Sequence, residues 1–383
     1  MKKVLFIIPS IWTAGTNSAL SSLLNNIGDK EYNIRVFPVT LYGRRDLPYS
    51  SLLLPKNRLL SAYFADLKKS EGIDIVLVFV LKSLKKICSI LKIDLFAPIA
   101  KRAARQLSNQ HFDTVVGFME GAATELASFV EAGRRISWVH CNYDKYLPSN
   151  QSEEDIYSRF NVIVNVSAFT TTIFRNRYPA LANNVICINN LVDEKRIQNL
   201  SRNEIDYLPE DESQFTIISV GRISPVKRFS FIPSIVWELL NKGVNVKWLI
   251  IGPNQDADET ARLKANVEKY NVEKAVRCLG LKDNPYPYFK KANLYVCLSE
   301  SEACPMVFIE ARLLGLPILS TDFPSAKEFI NDGKDGIICK IKDVPDKLYD
   351  LINNKELCKS LISDPNQVTK KNTVIIDKIK NIL

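Results

Sequence analysis

Two cations follow an apolar run in the second half of the chain, and both could bind one anion. The run ends at Val220-Gly221, and Arg222 and Lys227 stand in the loop that comes next. A glycine lets the backbone approach a ligand closely, a guanidinium can bind a phosphate through two parallel hydrogen bonds, and an ammonium adds a point charge. The spacing predicts an anion site, although an Arg and a Lys in an exposed loop can also simply be solvated.

Two carboxylates follow a later apolar run. Pro305 suits the first turn of a helix, which places Glu302 in the loop before that helix and Glu310 on it. The first N–H groups of the helix, at Met306 and Val307, would form an anion seat at the positive end of the helix dipole. The carboxylates could then accept hydrogen bonds from hydroxyls on both sides of a bound phosphate, as a sugar nucleotide presents them. The other interpretation is one glutamate that interacts with the helix dipole and one that is solvated.

Apolar runs alternate with helical patterns along the chain, which is typical of parallel α/β sheets. The predicted strands are 4–8, 33–39, 114–118, 136–139, 162–166, 215–220, 246–251, 276–279, 294–298 and 317–320. The predicted helices include 122–132, 169–177, 229–240, 259–270, 305–314 and 344–352. A first loop that ends at Gly15 separates the first strand from a helical pattern.

The polar and charged stretch 193–213 divides these two series, as a linker between domains would. We therefore expect an α/β protein of two Rossmann-like domains, 1–192 and 214–365, joined by the linker 193–213. An amphipathic helix over 366–383 completes the chain. Ligands of such sheets bind beyond the carboxyl ends of the strands, so the cleft between the two domains is the expected site.

Several classes of enzyme lack their usual signatures in this sequence. No GxGxxG follows a predicted strand, and neither a GxxxxGK[ST] loop nor a GxSxG elbow occurs. The chain has only two histidines, and its eight cysteines are scattered without a CxxC pair. We therefore expect neither dinucleotide redox chemistry nor a metal site. Most of the cysteines are expected to be buried and reduced.

The order and spacing of several blocks resemble the GT-B, family 4 glycosyltransferases, of the group 1 type that builds bacterial surface polysaccharides. In the second half these blocks are Val220-Gly221-Arg222 through Lys227, Ile250-Ile251-Gly252-Pro253, Leu279-Gly280 with Asn284 to Tyr288, Ser299 with Glu302 and Glu310-Ala311, Gly315-Leu316-Pro317, and Glu328. The first half is similar more loosely, through 3–9 with the loop ending at Gly15, Phe118-Met119-Glu120-Gly121, Trp138-Val139-His140, Val166-Ser167 and Ile188-Asn189-Asn190.

The resemblance implies a role for each matching residue. Arg222 and Lys227 would hold the diphosphate of the donor and stabilise it as it leaves. Glu310 would bind the ribose hydroxyls, and Glu302 with the backbone after it the transferred sugar. His140 matches the cleft histidine of the family near the donor sugar. The remaining implied donor-site residues are Gly15, Gly221, Cys304, Pro305, Met306 and Val307, and the mechanism retains anomeric configuration without a metal ion.

A basic and apolar segment distinguishes residues 68–105. Its nine positive and three negative side chains carry a charge of +6, within a chain whose net charge is +9. Lysines mixed with apolar residues suit a helix that lies on an anionic membrane, but the apolar residues could equally be core and the lysines solvated. No run is long enough to span a membrane, and no signal peptide is apparent. We expect a cytoplasmic protein that is peripheral on the inner face of the membrane if this segment docks there.

Together these features predict a glycosyltransferase, EC 2.4, that moves a hexose-type sugar from a UDP-sugar to a hydroxyl of a lipid-linked surface glycan with retention. The donor is a substrate, and no cofactor is expected. Two other functions stay open: a non-catalytic GT-B partner subunit of another transferase, and a GT-B sugar-nucleotide epimerase. Nucleic acid is not an expected partner, because the basic residues are not interleaved with aromatic ones in a recognisable module.

Overall fold

A computed structural model of the chain describes residues 1–10, 14–27, 31–40, 52–55, 57–65, 75–91, 93–148, 151–205 and 214–383. The chain divides into two compact units. The first comprises Met1–Leu191 together with Ile375–Leu383, and the second comprises Val192–Val374.

The first unit is a parallel sheet with crossover helices. Its elements are β1 (Lys2–Ser10), α1 (Ala14–Ile27), β2 (Tyr32–Thr40), α2 (Arg58–Phe64), α3 (Ile75–Ile90), α4 (Phe96–Ser108), β3 (Phe112–Phe118), α5 (Ala122–Phe129), β4 (Ala132–Val139), α6 (Tyr143–Tyr146), α7 (Glu154–Tyr157), β5 (Val162–Asn165), α8 (Ala168–Arg177) and β6 (Val185–Cys187). The strands lie in the order β2-β1-β3-β4-β5-β6, all parallel. The carboxyl ends of β3 and β4 are therefore neighbours.

The second unit repeats this architecture. Its elements are α9 (Glu194–Leu200), β7 (Phe215–Val220), α10 (Ile232–Asn241), β8 (Val246–Ile251), α11 (Ala257–Lys269), β9 (Val276–Gly280), α12 (Tyr286–Lys291), β10 (Leu294–Cys297), α13 (Met306–Leu313), β11 (Ile318–Thr321), α14 (Ala326–Phe329), β12 (Ile337–Cys339), α15 (Val344–Asn353), α16 (Lys355–Ser360) and the start of α17 (Asn366–Ile382). The strand order is β12-β11-β10-β7-β8-β9, again parallel.

The predicted α/β class is confirmed, and each predicted strand is present within a few residues of its predicted bounds. Strands that are buried on both faces consist almost wholly of apolar residues, which makes them easy to find. β6 and β12 were not predicted, because three-residue strands are too short to show a pattern. The helix predicted over 122–132 ends at Phe129, since Ala132 already begins β4.

The stretch 193–213, predicted as a linker, begins with the helix α9. The Asp193 side chain caps α9 by accepting a hydrogen bond from the Arg196 backbone N–H at 3.0 Å. Ile197 of α9 is buried in a cluster with Val192 and Tyr286. The sequence analysis did not predict this helix, because one buried side chain among polar ones leaves little periodic signal. Residues 206–213 lie outside the described part of the chain.

The C-terminal helix α17 contributes to both units, with its residues from Ile375 onward in the first and those up to Val374 in the second. Within the first unit, the Thr114 hydroxyl donates to the backbone oxygen of Leu383 at 2.8 Å, and Lys380 pairs with Glu31 at 3.1 Å. Within the second unit, the Asn372 side chain donates to the backbone oxygen of Val192 at 3.0 Å. Among the described residues, the helices lack the combined length and apolar character that crossing a bilayer requires.

Candidate functional site

The loops after β7 and β10 lie side by side in the second unit, because β7 is flanked by β10 and β8 in the sheet. Parallel neighbours end at the same edge, so residues far apart in sequence meet there. The loop after β7 is fastened to the loop after β8. Gly221 N–H donates to Ile251 O at 2.9 Å, and Ile223 N–H donates to Pro253 O at 2.9 Å.

Lys227 and Glu302 form the central contact of this edge. The Lys227 ammonium donates to Glu302 Oε1 at 2.6 Å, and the Ser299 hydroxyl donates to the same oxygen at 2.5 Å. Both charged side chains are mostly covered, with exposed fractions of 19% and 15%. The Ser325 hydroxyl donates to the Glu302 backbone oxygen at 2.7 Å, which holds the loop after β10 in place. The structure thus brings together two predicted site residues that are 75 positions apart in sequence.

The charge state of Lys227 follows from these neighbours. Burial alone would lower the pKa of its ammonium, but the Glu302 carboxylate outweighs burial, and the pKa is raised above its ordinary value. Lys227 is therefore a cation at neutral pH. The nearby Arg222 opposes this effect by like-charge repulsion and is itself exposed. Arg228, the next residue after Lys227, takes a left-handed backbone conformation and pairs with Glu300 at 3.4 Å.

The N-terminus of α13 stands at the end of the same loop. Pro305 is the N-cap residue in an extended conformation, so the helix begins at Met306, one residue later than predicted. The first N–H groups of an α-helix lack partners within the helix and carry the positive end of its dipole. Met306 and Val307 are partly exposed, as is Cys304 in the loop before them. The predicted helix N-terminus is therefore present at the end of this loop, with Glu302 in the loop before it. Its use as an anion seat stays a prediction.

Glu310 lies one turn into α13 and is buried. The Tyr286 hydroxyl of α12 donates to its Oε1 at 3.4 Å. Burial raises the pKa of the Glu310 carboxyl to about 7, while the hydrogen bond from Tyr286 and the positive charge of Arg196 act in the opposite direction. The group can therefore change its charge near neutral pH.

In the first unit, His140 follows β4 and is held by a carboxylate. Its backbone N–H donates to Glu120 Oε2 at 2.9 Å, and its ring packs 4.7 Å from that of Phe118 between centroids. Burial lowers the pKa of the imidazole to about 3, so the ring is neutral. Its buried Nε2 has no hydrogen-bond partner among the described residues.

Glu120 follows β3 and lies at the carboxyl edge of the first sheet beside His140, and it was not predicted as a site residue. It is 7% exposed, and burial raises the pKa of its carboxyl. The sequence did contain a signal for Glu120, because it is a carboxylate shortly after a buried strand. It lies at the same edge as His140 because β3 and β4 are neighbours.

Gly15 was expected in a loop, but it is the second residue of α1. A Cβ atom added there would meet nothing within 4 Å. The loop prediction was wrong by a few residues because the helical spacing 20, 23, 24 and 27 does not reveal where the helix begins. The residues just before α1, 11–13, lie outside the described part of the chain.

Residues 201–367 match the family described as glycosyl transferases group 1. This segment belongs to the group 1 glycosyl transferases. The matched range contains Arg222, Lys227, Glu302 and Glu310, the residues that the second unit gathers at one edge. The predicted resemblance to this family of transferases is confirmed.

The curated relatives of this chain are distant. An uncharacterized glycosyltransferase of Methanocaldococcus jannaschii is 25% identical over 227 residues, covering 56% of this chain and 52% of the relative. Another uncharacterized glycosyltransferase, of Haemophilus influenzae, is 24% identical and covers 76% of this chain and 82% of the relative. The N-acetylgalactosamine-N,N'-diacetylbacillosaminyl-diphospho-undecaprenol 4-alpha-N-acetylgalactosaminyltransferase of Campylobacter jejuni is 29% identical over 33% of each chain. The chain thus spans about half the length of the first of these relatives.

Solved structures extend the likeness of this chain to the whole fold. The crystal structure of HepE from Anabaena in complex with UDP and glucose superposes with a TM-score of 0.76. The alignment covers 100% of this chain and 99% of HepE at 14% sequence identity. The predicted GT-B fold is confirmed.

Proposed function

We propose that this chain moves a hexose-type sugar from a UDP-sugar to a hydroxyl of a lipid-linked surface glycan, with retention of anomeric configuration. The observation that carries the proposal is the Lys227–Glu302 contact at 2.6 Å beside the N-terminus of α13, with Glu310 one turn deeper. A cation, a helix N-terminus and two carboxylates at one edge match the diphosphate and the hydroxyls of a sugar nucleotide.

The diphosphate would be held by the protein's own positive groups. An ammonium has three N–H donors, and one of those of Lys227 is used by Glu302, which leaves two for phosphate oxygens. The exposed guanidinium of Arg222 and the backbone of Met306 and Val307 would add further donors. These groups would stabilise the negative charge that develops on the leaving diphosphate, which is often the largest contribution to catalysis. The proposal assigns this stabilisation to the chain rather than to a metal ion.

The two carboxylates would divide the hydroxyls of the donor between them. A carboxylate accepts up to about four hydrogen bonds, so Glu310 could receive both hydroxyls of a ribose. Glu302 uses one oxygen for Lys227 and Ser299, which leaves the other for a hydroxyl of the sugar that is transferred. This division matches the order in which ribose, diphosphate and sugar follow one another in the donor.

Transfer with retention would proceed on one face of the sugar. The bond from the anomeric carbon to the diphosphate oxygen breaks, the acceptor oxygen bonds to the same face, and the acceptor proton passes to the leaving phosphate. His140 would bind a hydroxyl of the donor sugar through its neutral ring, since its lowered pKa keeps it uncharged. Gly15 would leave room for the donor at the start of α1, where it projects no side chain.

The comparisons support the substrates of this proposal at different levels. HepE was crystallised with UDP and glucose, which supports a uridine donor. The Campylobacter relative is named for a diphospho-undecaprenol substrate, which supports an acceptor that is attached to a lipid. Such an acceptor would keep the chain at the cytoplasmic face of a membrane.

The charge of Glu310 makes donor affinity depend on pH. With a pKa of about 7, the carboxyl is mostly protonated at pH 6 and ionised at pH 8. Ionised acceptors form the stronger hydrogen bonds, so the dissociation constant of UDP-glucose is expected to fall about tenfold from pH 6 to pH 8. UDP-glucose is the suitable probe for calorimetry, because its diphosphate does not titrate in this range. The Glu310→Gln variant should bind UDP-glucose weakly at both pH values. If its dissociation constant still fell about tenfold from pH 6 to pH 8, the assignment of this pH dependence to Glu310 would be contradicted.

The proposed function is tested by measuring melting temperature with UDP-glucose, UDP-galactose, UDP-N-acetylglucosamine, UDP-N-acetylgalactosamine and GDP-mannose, with UDP and GDP as controls. A ligand at one hundred times its dissociation constant stabilises the native state by about 2.7 kcal/mol, so a donor raises the melting temperature selectively. The stabilising donor is then incubated with lipid-linked acceptors, and transfer is followed by mass spectrometry. Absence of any shift favours a non-catalytic partner subunit, and a sugar product formed without an acceptor favours an epimerase.

A further inference from the structure

Helix α3 has two apolar faces, and among the described residues only one of them is covered. Val78 and Leu81 are buried in the core of the first unit, and Leu77 packs against that core. Seven other large apolar side chains of the segment are between 41% and 75% exposed: Val76, Phe79, Val80, Leu84, Ile87, Ile90 and Leu91.

The exposed side chains form one continuous face. Positions 76, 80, 84, 87 and 91 follow one another at intervals of three or four residues, which align on one side of an α-helix. The Leu91 N–H donates to Ile87 O at 3.0 Å, so the helical path continues to Leu91. Phe79 and Ile90 widen the stripe. At 3.6 residues per turn, Val78 points about 200° away from Val76, so the stripe faces away from the core.

The charges of α3 favour an anionic partner. Residues 75–91 contain Lys82, Lys85 and Lys86 and no acidic side chain. Lys86 is exposed at the border of the apolar stripe. Lys85 turns toward the protein, where its ammonium lies 4.6 Å from the centroid of the Tyr63 ring. The segment therefore combines a broad apolar stripe with flanking positive charge.

We propose that the outward face of α3 docks in the interface of an anionic membrane, with the helix parallel to the surface. The apolar stripe would enter the boundary between headgroups and acyl chains, and Lys86 and Lys82 would meet the negative headgroups. A second copy of the chain fits less well, because its α3 would add like charges and no acidic residue. The inference rests on the exposure and charge of α3 and is independent of the proposed sugar transfer.

Binding to vesicles tests the proposal. The full chain is mixed with vesicles of phosphatidylcholine alone or of phosphatidylcholine with phosphatidylglycerol, an anionic lipid, and binding is measured by flotation. Binding to the anionic vesicles is expected to be at least about tenfold stronger, and to weaken as salt screens the lysines. The triple variant Val80→Ser, Leu84→Ser, Ile87→Ser should lose at least about tenfold of this binding.

Matched variants separate docking from general effects on the surface. Trp237→Ser with Leu240→Ser removes two similarly exposed apolar side chains of α10 and should leave vesicle binding unchanged. The triple variant should keep its melting temperature and its response to nucleotide sugars, because the altered side chains are exposed. Lys82→Gln with Lys86→Gln should reduce binding to anionic vesicles but not to neutral ones.

Three results would overturn the inference. The chain could fail to float with anionic vesicles, or the triple variant could float as well as the unaltered protein. The unaltered chain could also form a dimer that the triple variant abolishes, which would assign the stripe to a second copy. If the unaltered chain floats with anionic vesicles but binds no nucleotide sugar, the result would count against the proposed function alone.

Discussion

Lys227→Met is expected to lower the turnover number of sugar transfer about 100- to 1,000-fold. Removal of one preorganised donor that stabilises a developing negative charge has an effect of that size. Methionine fills the space of the lysine side chain as far as Cε and removes the ammonium, so the change is chiefly electrostatic. Steady-state kinetics with the donor identified by thermal shift measures the effect, and we expect turnover to fall more than the Michaelis constant rises.

A second lysine provides the control for this experiment. Lys242 pairs with Asp346 at 2.5 Å in the same unit, but both side chains are far more exposed than Lys227 and Glu302. Lys242→Met should leave turnover within about twofold, since exposed ion pairs contribute little. Glu302→Gln combined with Lys227→Met should be much less harmful than the product of the single effects, because the two residues act through one contact. A folded Lys227→Met variant with nearly full turnover would remove Lys227 from the mechanism.

Gly252→Ala is expected to destabilise the second unit by about 3 kcal/mol, the upper part of the range for overpacked sites. A Cβ atom at this position would lie 1.8 Å from the Gly221 backbone oxygen and 2.6 Å from its carbonyl carbon. Neither backbone can move freely, because Gly221 N–H donates to Ile251 O and Gly252 N–H donates to Gly280 O, both at 2.9 Å. The corresponding fall in melting temperature is roughly 10 °C for a unit of this size.

Gly243→Ala isolates the steric part of this effect. Gly243 has a φ of 78°, and a Cβ atom there would meet nothing within 4 Å. Alanine at this position should lower the free energy of unfolding by only about 1 kcal/mol, because its side chain disfavours the left-handed backbone conformation. Calorimetry of both variants with and without UDP-glucose would show the difference, and equal melting temperatures would contradict the close approach of Gly252 to Gly221. Because Arg222 follows Gly221, Gly252→Ala should also weaken donor binding.

The strands were the part of the fold that the sequence predicted best. The bounds 215–220 and 246–251 agree with β7 and β8 as observed. Such strands are buried on both faces, so they appear as unbroken apolar runs between polar residues. The ends of helices were less certain: α13 begins after Pro305 rather than at it, and α1 includes Gly15. Helix ends depend on caps and neighbouring loops, which periodicity does not report.

In the candidate site too, the sequence showed which residue types are present but not which of them touch. The types and order of Arg222, Lys227, Glu302 and Glu310 pointed to an anion with flanking hydroxyls and resembled a known family. The sequence could not show that Lys227 and Glu302 touch, because that contact depends on β10 lying next to β7. The sequence also did not reveal Glu120 as a site residue, because its hydrogen bond with the His140 backbone N–H depends on β3 lying next to β4.

The sequence by itself determined the alternation of strands and helices and the chemical types available at the strand ends, because both follow from local patterns of apolar and charged residues. Only the tertiary structure decided which apolar residues are covered. In α3 the sequence contains apolar residues on nearly every side, and it left core packing and membrane contact equally open. Burial is a property of the neighbours that pack against a helix, and here they cover Val78 and Leu81 and leave the opposite face to solvent.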